Sequence, residues 1–219
     1  MINHGHAPVI PSIGSLGASG DLAPLAHMAM SLIGEGRFQS KIGGQWVDSD
    51  SQTVFSDIGR EPVVLEAKEG LSLINGTSQM CSYLAEASSL TSKLCDAADA
   101  ACAMSVEAIA GSHTPFDPRI REIRHQAGQG KSASRIMEHL KESEIKESHA
   151  DCDRVQDAYS FRCAPQVHGA VFDVLDHVTK VVVSDANSAT DNPLIVPDGE
   201  GGYDCLLYTS DAADESLCV

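Results

Sequence analysis

Residues 65–110 read LEAKEGLSLINGTSQMCSYLAEASSLTSKLCDAADAACAMSVEAIA, and this stretch decides the fold. Alanine, leucine, serine and glutamate dominate it, and its only helix-breaking punctuation is Gly70 and the pair Asn75-Gly76. That composition predicts one very long helix, or two joined near Gly76. Further along, Val167, Val171, Val174, Leu175, Val178 and Val182 recur on one helical face and predict a second long helix from residue 165 to about 186. Helices this long and this apolar bury their stripes against one another. No alternation of strand and helix suggests a parallel sheet, and no repeat or low-complexity tract appears. The fold class is mainly α, a long-helix bundle.

The remaining segments are shorter. Leu22, Leu25, Ala26, Ala29, Leu32 and Ile33 have helical spacing, with Asp21 placed to cap the helix, Pro24 in its first turn, and Gly34 and Gly36 at its end. Residues 41–47 form a small hairpin around Gly43-Gly44, within a β excursion near 37–48. Short helices are predicted over 51–58, over 116–125 starting at Asp117-Pro118, and over 132–143. Residues 148–163 read as polar and irregular, and Thr190-Asp191-Asn192-Pro193 turns the chain.

Composition narrows the function. The chain has 219 residues, 42% of them hydrophobic, enough for a core of ordinary domain size. A net charge of −16 argues against nucleic acid, which demands clustered Lys and Arg. No apolar run approaches the ~20 residues of a membrane span, and the opening MINHGH lacks the basic and apolar regions of a secretory signal. The seven cysteines form no Cys-x-x-Cys pair, which points to reduced thiols in a cytoplasm. The nine histidines offer no pair at i, i+4, so no metal site is expected. Gly128-Gln129-Gly130-Lys131-Ser132 mimics the end of a phosphate loop, but His125 stands where that pattern needs its first glycine. Around Ser19 a Gly-x-Ser-x-Gly elbow fails at Asp21. From Cys205 to Glu215 the residues match the translation of a transposon-end adapter used in sequencing libraries, so 205–219 is expected to be a non-native tail.

The segment richest in chemistry is Gly14-Ser15-Leu16-Gly17-Ala18-Ser19-Gly20-Asp21-Leu22-Ala23-Pro24-Leu25-Ala26-His27. Gly20 has no side chain to block a backbone attack and tolerates strained angles. Ser19 carries a hydroxyl that can be eliminated, and the helix that follows adds partial positive charge to the loop. Three further stretches accompany it in order: Leu71 to Thr77 (LSLINGT), Arg154 to Ala170 (RVQDAYSFRCAPQVHGA) and Asn187 to Leu194 (NSATDNPL).

These four stretches resemble the signatures of the histidine and aromatic amino-acid ammonia-lyases, and the resemblance runs from about Asn3 to Asp198. It implies a bundle of the ammonia-lyase and fumarase type. It also implies that Ala18, Ser19 and Gly20 cyclise into a 4-methylidene-imidazol-5-one, with no external cofactor and no metal. In that cyclisation the Gly20 amide nitrogen attacks the Ala18 carbonyl and two waters leave, one from the Ser19 side chain. Asn75 would then hydrogen-bond near the substrate carboxylate or the ring carbonyl, Tyr159 would assist proton movement, Arg162 would grip the carboxylate and Gln156 would line the pocket. Cys163, His168 and Gly17 are more similar to the histidine branch than to the plant phenylalanine branch. The implied reaction is the non-oxidative elimination of ammonia from L-histidine to trans-urocanate, the first step of histidine catabolism.

Within the family the alternatives are a tyrosine or phenylalanine ammonia-lyase or an aminomutase, and outside it a non-catalytic helical assembly module. The resemblance further implies a cytoplasmic homotetramer that shares active sites between subunits. It treats residues 1–204 as the central fragment of one catalytic domain, truncated at both ends. The family's tyrosine base and downstream glutamate would then lie outside the chain, which alone would be inactive.

Overall fold

The computed structural model describes residues 1–16 and 20–207. The punctuation at Asn75-Gly76 divides the stretch that opens the argument. A short helix α3 (Glu69–Ile74) ends at Asn75, and a long helix α4 (Ser78–Ala108) begins two residues after Gly76. The first-named helix α1 spans Leu22–Leu32, α2 spans Ser51–Ile58, α5 spans Pro118–Arg124, and the second long helix α9 spans Ala164–Ala186. Helix α6 occupies Ala127–His139 rather than 132–143, so the glycines that mimic a phosphate loop lie inside its first turns. A short helix α7 (Glu144–Ser148) leads into the segment 148–163, which is irregular as expected until a second short helix, α8 (Tyr159–Arg162), near its end.

The β content exceeds a hairpin. Strands β2 (Phe38–Ile42) and β3 (Gln45–Ser49) pair antiparallel around Gly43-Gly44, and β1 (His6–Pro8) adds a third antiparallel strand with His6 opposite Ser40. A second hairpin joins β4 (Leu194–Pro197) to β5 (Tyr203–Leu206). Both additions are three- and four-residue strands, too short to show the alternation that reveals a strand in sequence.

The described residues group into two units, residues 1–83 with those from 184 onward, and residues 84–183. In the first, Phe38, Val54 and Phe55 form a core, with the Phe38 and Phe55 rings edge to face at 6.4 Å. His6 fastens the sheet to α2: its Nδ1 lies 2.7 Å from Ser40 Oγ and its Nε2 lies 2.8 Å from Asp57 Oδ2.

In the second, Ala103, Val106, Phe116, Ile136, Leu140 and Ala164 form the core, each large side chain contributing about 1.5–3 kcal/mol by burial. Beside it the fully buried Asp99 of α4 accepts the Ser132 hydroxyl at 2.6 Å, pairs with His168 Nδ1 at 2.9 Å and faces Arg135 Nε at 3.5 Å. Both hydrogen bonds fall on Oδ1, while Oδ2 has no hydrogen bond and is offset by the facing guanidinium, so the buried charge is paired rather than alone, and it ties α4, α6 and α9 together. Asp117 caps α5, and the Arg119 guanidinium beside it holds its carboxyl down to about 2.

Among the described residues no cysteine forms a disulfide, and none of the helices is long and apolar enough to cross a membrane. Burial, reinforced by Asp99, pushes the Cys102 thiol above its ordinary range.

Candidate active site

In the first unit the chain returns to one point from three directions. Leu16 and Gly20 face each other as an isolated antiparallel bridge. Gly17, Ala18 and Ser19 lie outside the described residues. Gly20 has φ +90°, and a Cβ there would stand 2.9 Å from the Gly76 nitrogen and 3.0 Å from its carbonyl carbon, with the Gly76 oxygen nearer still. Gly76 in turn has φ +154°, and a Cβ on it would stand 2.9 Å from Thr190 Oγ1. Both positions require glycine, for the backbone angle and for the close approach. Three of the four stretches singled out in the sequence therefore meet at Gly76.

Asp21, fully buried, locks this meeting point. Its N–H donates to the Gly76 carbonyl at 2.8 Å. Its carboxylate accepts the Ser15 hydroxyl at 2.5 Å and the Met80 N–H at 2.9 Å. Asp21 stands at the cap position of α1, as the sequence suggested, but its side chain makes no capping bond there. It satisfies a free N–H in the first turn of α4 instead. Thr77, just before α4, directs its hydroxyl to Asp185 Oδ2 at 2.9 Å. Sequence reasoning missed this role because Asp21 and Met80 are 59 positions apart.

Asn75 is 5% exposed, and its Nδ2 donates to the carbonyl of Asn192, itself 2% exposed. The Asn-Gly pair is a turn and more than a turn: the backbone ends α3 while the side chain holds the fourth stretch, which enters Pro193 through a cis peptide bond.

Gln156, Tyr159 and Arg162 belong to the second unit, close together in sequence around the start of α8. Tyr159 is 73% exposed. Arg162 Nε donates to the backbone carbonyl of Asp157 at 2.9 Å. The Asp157 carboxylate accepts the Ser112 N–H at 2.7 Å and pairs with Arg154 Nη1 at 3.0 Å. The Ser112 N–H, with Arg154 and Arg162 adding to it, holds the Asp157 carboxyl below its ordinary value. Gln156 is exposed and lines a cavity of about 690 Å³ together with His113, Ser143 and Arg154. His168 is a hydrogen-bonded helix residue through Asp99, and His27 is exposed on α1. Among the described residues no group of His, Cys, Asp and Glu is arranged to hold a metal ion.

Comparison with known proteins gives a consistent picture. The sequence profile of a family described as "Aromatic amino acid lyase" matches residues 1–210. The histidine ammonia-lyase of Gloeobacter violaceus is 47% identical over 198 residues, covering 90% of this chain and 38% of that protein. The human histidine ammonia-lyase is 44% identical over 199 residues, covering 89% of this chain and 30% of that protein. Among solved structures, histidine ammonia-lyase from Trypanosoma cruzi superposes with a TM-score of 0.75 at 37% identity, covering 95% of this chain and 37% of that one. Tyrosine aminomutase from Streptomyces globisporus superposes with a TM-score of 0.76 at 33% identity, covering 95% and 41%. The chain spans well under half the length of these relatives.

Proposed function

The chain belongs to the aromatic amino acid lyase family, and on that premise we propose that it carries the central part of a histidine ammonia-lyase, which eliminates ammonia from L-histidine to give trans-urocanate. The observation that carries this reading is the meeting of three signature stretches at Gly76, with Gly20 pressed against it where no side chain fits. That cradle, together with the pairing of Leu16 with Gly20, suits a backbone that condenses at Ala18, Ser19 and Gly20 into a methylidene-imidazolone. The ring supplies an electrophile for the substrate amine and so makes ammonia a better leaving group.

The chain's own residues do the rest of the work assigned to them. Gly20 supplies the amide nitrogen and the space for closure. Asp21 and Gly76 hold that end of the loop rigid, which is what positioned chemistry requires. Asn75 presents a carboxamide fixed by Asn192, in a place to hydrogen-bond the substrate carboxylate or the ring carbonyl. Arg162 offers the planar fork of donors that grips a carboxylate. With sites shared between subunits, Tyr159 and Arg162 serve the ring of another subunit, Tyr159 by assisting proton movement, and Gln156 lines the pocket. The strong identity to histidine ammonia-lyases favours histidine as substrate. The likeness to a tyrosine aminomutase keeps tyrosine and phenylalanine as substrates to be tried beside it.

On the same reading the active enzyme is a cytoplasmic homotetramer with sites shared between subunits. Residues 1–204 are the central piece of one catalytic domain, and 205–219 are an appended tail.

The test uses residues 1–204 extended at both ends by the coding sequence that natively flanks them. The extended protein is expected to convert L-histidine to a product with the near-ultraviolet absorbance of a conjugated acid. Ser19→Ala is expected to lower that rate by about a thousandfold or more, because no methylidene can form. The peptide containing residues 18–20 should also be lighter by two waters. Undiminished turnover in Ser19→Ala sinks the reading, and so does a peptide of full mass in active protein; an extended protein that turns over no amino acid would leave the helical assembly module.

A further inference from the structure

Lys68 precedes α3 in a left-handed conformation, φ +75°, that a lysine rarely adopts. From there its Nζ donates to Asp191 Oδ2 at 2.6 Å and to Ser72 Oγ at 3.2 Å, and the Ser72 hydroxyl donates to the same Asp191 oxygen at 2.8 Å. The two charged side chains are only 24% and 21% exposed, so this is not a solvent-swept surface pair of the kind that contributes little. The other Asp191 oxygen accepts the N–H of Asn192 at 2.8 Å. Asn192 carries the carbonyl that receives the Asn75 carboxamide. A connected path therefore runs from the Lys68 ammonium through Asp191 and Asn192 to Asn75.

The charges around this path are lopsided. Asp21 and Asp185 lie at the neighbouring start of α4, and Asp191 adds a third carboxylate one residue from the Asn75 anchor. A chain of net charge −16 repels anions in general. Lys68 is the cation that faces Asp191.

We propose that Lys68 is a positioning residue for the lyase site: through Asp191 and Asn192 it fixes the Asn75 carboxamide, and it cancels a carboxylate that would otherwise repel the anionic end of an amino-acid substrate. The inference rests on the proposed function and adds to it a residue that the sequence signatures did not single out.

The experiment is steady-state kinetics on the extended enzyme at about 0.05 M and about 0.5 M salt, with wild type, Lys68→Arg, Lys68→Met and the double variant Lys68→Met/Asp191→Asn. Lys68→Met is expected to raise KM for the amino acid about tenfold at low salt while kcat changes less than about threefold, the pattern of lost ground-state attraction. High salt should shrink the KM ratio to wild type, because screening shortens from about 14 Å to about 4 Å over that range. Removing the uncompensated charge in the double variant should return KM to within about twofold of wild type. Lys68→Arg should stay near wild type.

A merely structural role predicts a loss that ignores salt and is not rescued by Asp191→Asn, and that result overturns the inference. An unchanged KM in active Lys68→Met overturns it as well. A wild-type extended enzyme that deaminates no amino acid overturns the proposed function itself, and this inference falls with it.

Discussion

Around Gly76 the functional stretches of the first unit are held by backbone pressed on backbone, whereas residues 151–162 of the second unit rest on one carboxylate. At Gly76 the tolerances are set by missing side chains and by a buried Asp21 with three polar partners. Around Asp157 they are set by two hydrogen bonds to its carboxylate and one to its carbonyl, while Tyr159 stays 73% exposed. On the proposed function, a site that performs chemistry on its own backbone needs the first kind of support. Side chains proposed only to reach for a substrate can be carried by the second.

The largest effect expected from this contrast is at Gly20. Gly20→Ala places a Cβ against the Gly76 backbone, which cannot turn aside, at a φ of +90°. We expect a loss of about 3–5 kcal/mol in urea denaturation, by strain and overpacking together. Gly43→Ala is the control, because its φ is also positive, +59°, but nothing lies within 4 Å of the added carbon. It should cost about 1–2 kcal/mol, the conformational term alone. Equal losses at the two positions would mean that the Gly76 contact does not constrain the loop.

Asp157 gives the middle effect. Asp157→Asn places an amide group where two donors point, and should cost about 1–2 kcal/mol. Hydrogen exchange at the Ser112 amide should speed up in step. The acid dependence follows from the direction of its shift. The folded carboxyl sits below the ordinary value near 3.8, so its contribution is present above that value and fades as pH falls through the depressed folded value. Wild type should thus lose more stability than Asp157→Asn between about pH 4 and pH 2. Parallel acid profiles would show that the Ser112 and Arg154 contacts hold nothing.

How much of this was legible in the sequence follows from the same contrast. The long helices could be read because their apolar stripes and their one Asn-Gly interruption are local signals. The Gly20 and Asn75 positions were picked out by motif, and the structure brings both to Gly76. What could not be read are the bonds that cross the chain: Asp21 to Met80, His6 to Ser40 and Asp57, Lys68 to Asp191. Each joins residues 34 to 123 positions apart, and neither periodicity nor capping rules reach that far. The start of α6 was misplaced by five residues for a related reason. Gly128 and Gly130 weaken helix propensity, but the crossing with Gly169 is so close that a Cβ there would lie 2.5 Å from Gln129 Cα, and tertiary packing overrides the propensity.

The smallest effect on stability should accompany a large effect on turnover. Tyr159 is mostly exposed, so Tyr159→Phe should change the denaturation midpoint by less than the equivalent of ~0.5 kcal/mol. In the extended enzyme the same change should lower kcat by about a hundredfold or more if the hydroxyl moves a proton. Gly20 allows no such separation, since one backbone position serves both packing and the proposed chemistry. A Tyr159→Phe enzyme that is as active as wild type would remove Tyr159 from the site. One that is inactive and also unfolded would show that the second unit leans on this side chain far more than its exposure allows.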